Sequence, residues 1–323
     1  MSTESSSSKR QFASLGYAFW VTLLVLLVLP FVAQLLGLEY YVGFVRRLLI
    51  VVIAALGLDF ILGVGGMPSL GQAAFMGVGA YTAVGLIELA GVMSFWILGG
   101  AAILSSTLAA SLIGVISLRT RGTYFIMITL AFAQMLYYFA VSLRSFGGDD
   151  GYTLAVAPHF GFGQSQANLV LWYFVVLGCA VLAYVGLRKL SLAPLGRALA
   201  GIRDNETRMT AMGCPVFLVK FTAFTLAGAL AGLSGFLLLM DNRFFSPTTM
   251  HWTQSAMLLV MVVLGGKGRL WGAVLGVVLW LGTEEFVRQQ TLYWHWPLGI
   301  ALILIVLFVP GGLAQLFQRK TVA

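Results

Sequence analysis

GLDFILGVGGMPSLGQAAFMGVGAY, residues 57–81, sets the fold class. It joins one apolar run to another through Gly63, Gly65, Gly66, Pro68 and Gly71, with Asp59 as its one carboxylate. Glycine and proline at this density break a helix, and irregular backbone inside an apolar segment is tolerated where it borders protein or water at membrane depth. The small residues from Gly71 to Ala80 also recur at helical spacing, which lets neighbouring helices approach closely.

The rest of the chain agrees. Of 323 residues 60% are apolar and only 9% charged, too few polar side chains to cover a soluble globule. A hydrocarbon core of about 30 Å needs roughly 20 apolar residues per spanning helix, so the length holds about eight to eleven spans. Long Leu, Val, Ala and Gly runs favour helices over β-barrel strands, which would alternate apolar and polar residues. The expected fold is all-α: a polytopic membrane protein of about ten transmembrane helices, some broken or re-entrant. Candidate spans lie near 18–36, 47–63, 70–89, 93–117, 123–143, 168–187, 217–239, 252–265, 270–286 and 296–309. The run at 18–36 is too long for a signal-peptide core and is expected to be retained.

The permease domain is thus expected at 18–310, between cytoplasmic tails at 1–17 and 311–323. With both termini inside, only Arg46, Arg47, Arg144, Arg243 and Arg288 of the nineteen Lys and Arg residues fall outside, the asymmetry expected of cytoplasmic loops. Arg46 and Arg47 are expected to snorkel to the outer interface. The formal charge of +8 is therefore read as orientation, with no nucleic-acid partner. Two cysteines, Cys179 and Cys214, build neither a disulfide framework nor a metal cluster. His159, His251 and His295 are scattered on the predicted outer side and read as interface anchors. No phosphate-binding Gly-rich loop and no hydrolase or zinc-protease motif occurs, so the chain is expected to be no enzyme, to need no cofactor, and to leave ATP hydrolysis to another chain.

Two connections are long: an outer loop at 144–167, with Gly147-Gly148-Asp149-Asp150-Gly151 at its tip, and an inner segment at 188–215 that reads as a short helix on the membrane surface. Candidate translocation-path residues are Asp59, Gln72, Phe75, Tyr81 and Gln134. A charge inside a span costs on the order of 3 kcal/mol, so Asp59 either faces a cavity, caps the helix that follows, or pairs with a neighbouring donor. The 69–81 segment likewise serves either as a packing face or as a polar lining.

Five segments taken together, GLDFILGVGGMPSLGQAAFMGVGAY (57–81), GTYFIMITLAFAQM (122–135), PLGRALAGIRDNE (194–206), LAGALAGLSGFL (226–237) and VVLGGKGRLWGAVLG (262–276), resemble the LivM-type permeases of bacterial branched-chain amino acid importers and the related urea permeases. The resemblance covers most of the chain beyond residue 45. It implies a bacterial inner-membrane subunit working with a second related permease, two cytoplasmic ATP-binding subunits and a periplasmic solute-binding protein. It also implies that Gly196, Arg203, Asp204, Asn205, Glu206 and Gly213 belong to a loop that docks onto the ATPase. Pro68 and Gln72 depart from the family pattern, where a branched apolar residue and a His are common, and this leaves the solute open among amino acids, urea, short amides and aromatic acids. Two other classes compete. An ion-coupled transporter would need more intramembrane carboxylates than Asp59, and a membrane enzyme would need acids or nucleophiles clustered at one interface.

Overall fold

The computed structural model describes residues 22–34, 37, 39–154 and 169–290, with isolated positions 296, 299, 300 and 312. Apart from those isolated positions, the expected span at 296–309, both tails, His159 and His295, and the 144–167 loop beyond residue 154 lie outside the described residues. Within them the chain is helical: α1 (Thr22–Gln34), α2 (Glu39–Asp59), α3 (Gln72–Ala90), α4 (Phe95–Ser117), α5 (Thr123–Ser142), α6 (Leu169–Leu192), α7 (Pro194–Asp204), α8 (Glu206–Ala211), α9 (Val216–Asn242), α10 (Trp252–Gly265) and α11 (Leu270–Gln290). Seven of these are long and apolar enough to cross a membrane, and α1 and α10 are shorter apolar helices. The chain is therefore an all-α, multi-pass membrane protein.

α2, α3 and α9 lie inside the bundle, whereas α4, α5, α6 and α11 leave most of their surface outward. Side-chain size explains the arrangement. On α9, Gly228 faces the Ala110 methyl of α4, Gly232 faces Ser106, and Gly235 lies against the backbone of Met76 on α3. A Cβ on Gly79 of α3 would in turn collide with the Gly232 backbone. Where lipid removes the hydrophobic force between helices, this close backbone packing carries association. Two hydroxyls bind across the same contacts: Ser106 donates to the Phe75 carbonyl (3.1 Å) and Ser234 to that of Ile50 (2.7 Å).

The two ends differ in chemistry. At one, α2 starts eight residues earlier than its apolar run suggests, which places Arg46 inside the helix. Arg46 does not snorkel: its side chain is only 12% exposed and forms an ion pair with Asp241 of α9, while Trp172 of α6 donates to the same carboxylate (2.9 Å). A largely buried cation held by a largely buried anion avoids the cost of an unpaired charge. Glu88 accepts from the Tyr152 hydroxyl and Glu285 from that of Tyr40 at this end. The described part of the outer loop is ordered by its glycines into two 3-10 turns, Arg144–Phe146 and Gly148–Asp150. A two-residue strand, β1 (Tyr152–Thr153), then pairs antiparallel with β2 (Phe244–Phe245). At the opposite end α10 and α11 meet in the tight Gly266–Arg269 turn, and α7 and α8 fold back across the bundle.

Candidate functional site

The functional region is the broken backbone between α2 and α3 and what surrounds it. After Asp59 the helix widens into a π turn, Phe60–Val64. It closes as the Gly66 and Met67 amides reach back to the Leu62 and Ile61 carbonyls (3.0 and 2.9 Å). Gly66 turns the chain at φ +68°, and the Arg203 Cγ lies where its Cβ would be, so glycine is required there twice over. The freed amides beyond it find hydroxyls: Leu70 N–H donates to Thr129 of α5 (3.3 Å), Gly71 to Ser69 (3.2 Å) and Ala73 to Ser255 of α10 (3.0 Å). Non-helical backbone between two apolar helices persists here because side chains satisfy it.

Gln72 opens α3 directly after the break. It is fully buried, and neither its Oε1 nor its Nε2 has a hydrogen-bond partner among the described residues. Each buried unmade bond costs about 1–3 kcal/mol, a cost natural interiors avoid unless a water or a ligand makes the bond. Phe75, one turn on, packs edge-on against Phe224 (5.7 Å), which also meets Phe125 of α5. Tyr81 lies nine residues from Gln72, which at about 100° per residue is the opposite face of α3. Its ring packs against Phe245 and its hydroxyl has no hydrogen-bond partner among the described residues. Gln134 is half-buried on α5, and its Nε2 has no hydrogen-bond partner among the described residues. The structure therefore brings Gln72 and Phe75 to one face and leaves Tyr81 and Gln134 elsewhere.

Asp59 is fully buried at the foot of α2. Its Oδ1 accepts from the Gly268 amide (2.7 Å), and its Oδ2 has no partner among the described residues. The bond ties α2 to the α10–α11 turn. A Cβ on Gly63 would land on the Gly268 backbone, so these two segments touch main chain to main chain.

The 188–215 segment forms two helices. α7 buries Gly196, Leu199 and Ile202 and turns its polar side away, the pattern of a helix lying on a surface. Arg203 donates from Nη1 to the Gly63 carbonyl inside the π turn (2.7 Å), and its Nε and Nη2 fork onto Asp204 (3.3 and 3.2 Å). Asn205 is extended and caps α8, its Oδ1 accepting from Arg208 N–H (2.8 Å). Glu206 takes Lys220 of α9 on one oxygen (2.9 Å) and Arg121, just before α5, on the other (3.3 Å). Gly196 stands in the α6–α7 corner, where any Cβ would strike the Ser191 backbone, and Gly213 leaves α8 at φ +80°. The α7–α8 corner is thus bound to the feet of α2, α5 and α9 together. It closes a cleft lined by the Gly65–Pro68 break, Arg121, Arg203, Glu206 and Lys220.

Thr129 and Ser255 escaped the sequence reading, which took Arg121 and Lys220 only as basic residues of the cytoplasmic side. Single hydroxyls inside apolar runs were the available signal for the first two. His251 bonds Thr253 (3.0 Å) and packs against Tyr137, and among the described residues no group of His, Cys, Asp and Glu is placed to hold a metal.

A multi-pass helical protein whose internal break is held open by hydroxyls, beside a polar corner tying three spans together, is built as a membrane permease. The family described as "Branched-chain amino acid transport system / permease component" matches residues 40–309, and the chain belongs to it. It is 30% identical to the high-affinity branched-chain amino acid transport system permease protein LivM of Escherichia coli (strain K12), over 94% of this chain and 76% of that one. It is 29% identical to the LivM protein of Salmonella typhimurium, over 84% and 69%. A probable branched-chain amino acid transport permease protein LivM of Methanocaldococcus jannaschii is 25% identical over 66% and 67%. No solved structure matches the chain.

Proposed function

We propose that this chain is one permease subunit of an ATP-binding-cassette importer in a bacterial inner membrane, passing branched-chain or related amino acids. The α7–α8 corner carries the reading: a polar, cation-rich surface helix bound to three spans is what an ATPase subunit needs in order to move them as bodies. In this assembly the face holding Arg203 is cytoplasmic, and so are the tails at 1–17 and 311–323. One of two ATP-binding subunits docks on the loop that holds Gly196, Arg203, Asp204, Asn205, Glu206 and Gly213, a related permease completes the path, and a solute-binding protein delivers cargo over the 144–167 loop. The path runs by Gln72 and Phe75, with Asp59, Tyr81 and Gln134 at its ends and flank. The test is uptake of labelled leucine in cells lacking this chain and in complemented cells. Uptake lost on deletion and restored by complementation supports the reading, and uptake indifferent to the chain contradicts the amino-acid assignment.

One observation favours a second solute class. The free amide of Gln72 pairs reciprocally with another amide as readily as it takes an amino acid's carboxylate or ammonium group, so urea or a short amide is the alternative cargo. If Gln72 meets the solute, Gln72→Leu raises KM for the transported solute about tenfold, equivalent to about 1.4 kcal/mol, without loss of protein from the membrane. An unchanged KM removes Gln72 from the path. Competition of leucine uptake by excess urea separates the two cargoes.

A further inference from the structure

We propose that a groove between α1, α2, α6 and α11 holds an acyl chain of an anionic phospholipid, its headgroup lying against Arg188 and Lys189. The groove is graded along its length. Thr22, Tyr184 and Trp271 line the end nearest the Arg203 face, and Leu26, Leu49 and Leu177 line the deeper end. From Tyr184 to Leu177 is about 10 Å along the helix, on the order of the depth of one hydrocarbon leaflet. Aromatic and hydroxyl tips belong at a headgroup interface and aliphatic side chains below it. Among the described residues the deep end offers no side-chain hydrogen-bonding group, so a polar solute entering it would leave its own groups unsatisfied, whereas a hydrocarbon chain would not.

Charge chooses the headgroup. Arg188 stands one turn beyond Tyr184 and close enough to interact electrostatically with its hydroxyl, and Lys189 follows it, exposed. Arg269, two residues before the groove-lining Trp271, has a buried Nη1 with no hydrogen-bond partner among the described residues. Basic side chains between spans, at the headgroup level of an apolar groove, recognise phosphate-bearing lipid. The inference depends on the proposed function only for naming the leaflet, the cytoplasmic one; the groove and its basic rim are independent of transport.

The test is native mass spectrometry of the full chain in mild detergent with equal amounts of dioleoyl phosphatidylglycerol or dioleoyl phosphatidylcholine. Phosphatidylglycerol is expected to be retained at least about fivefold more. Ala180→Trp, which fills the groove wall, is expected to cut retention of both lipids by a similar factor, and Arg188→Gln with Lys189→Gln to bring phosphatidylglycerol down to the phosphatidylcholine level. Equal retention of the two lipids by the unaltered chain, or an unchanged preference in the Arg188 and Lys189 double variant, overturns the proposal. The double variant decides the matter even if Ala180→Trp does not fold. Leucine uptake plays no part in this readout, so its failure leaves the importer reading untouched.

Discussion

Gly235→Leu is expected to leave almost no folded protein in the membrane. A Cβ at this position meets the carbonyl and Cα of Met76, main-chain atoms of α3 that no rotamer change moves aside. Overpacking against movable side chains costs about 1–3 kcal/mol, and displacing a whole helix costs more. The same shift would pull Gly79 from Gly232 and the Ser106 hydroxyl from the Phe75 carbonyl, on the same α3–α4–α9 contact. Total stabilities of about 5–15 kcal/mol leave little to absorb such a loss. Gly178→Leu is the matched control, since Gly178 is exposed on α6 with nothing among the described residues within 4 Å of a Cβ. Size-exclusion profiles of fluorescently tagged protein should show the Gly178 variant at the level of the unaltered chain and the Gly235 variant nearly absent; comparable profiles would mean that the α3–α9 crossing does not hold the bundle together.

Arg203→Ala is expected to lower solute uptake at least about tenfold while the protein remains in the membrane. Among the described residues Arg203 is the side chain that hydrogen-bonds the α7–α8 corner to the π turn below Asp59, through a 2.7 Å bond to the Gly63 carbonyl. A hydrogen bond from a charged donor contributes about 1.5–3 kcal/mol, small against the stability of the bundle but large against a coupling free energy of about 1–3 kcal/mol. Gly63 in turn rests on Gly268, and Gly268 is held by Asp59, so a push on α7 reaches α2 and the α10–α11 turn together. Arg203→Lys should restore uptake only in part. An ammonium group reaches one acceptor as a point charge but does not reproduce the guanidinium fork that also holds Asp204. ATP hydrolysis by the assembled complex separates the explanations: hydrolysis that persists while uptake falls identifies lost coupling, and uptake equal to that of the unaltered chain would remove Arg203 from the linkage.

Sequence made the membrane class, most span positions and the surface character of 188–215 readable, because each rests on local composition and periodicity. The tertiary contacts were not readable. Asp59 offered three roles, and the choice depends on an amide 209 residues away. Arg46 pointed to the interface by its position in an apolar run, yet α2 begins earlier and Asp241 waits inside the bundle. Glu206 was legible as part of a docking loop, but its two cations come from α9 and from the residues before α5. Gln72 and Tyr81 looked like partners along one segment, although their nine-residue spacing on a helix already sets them on opposite faces. The pairings of Asp59, Arg46 and Glu206 join residues distant in sequence, and such pairs leave no mark in local pattern.

The central claim is that this chain lets ATP hydrolysed elsewhere drive an amino acid across the membrane. Its most direct test is labelled leucine uptake into proteoliposomes holding the purified complete assembly, with ATP supplied on the side of the ATP-binding subunits and no ion gradient. The account predicts leucine accumulation that requires both ATP and this chain. Accumulation without ATP that follows an imposed ion gradient, or none in a complex that hydrolyses ATP normally, would contradict it.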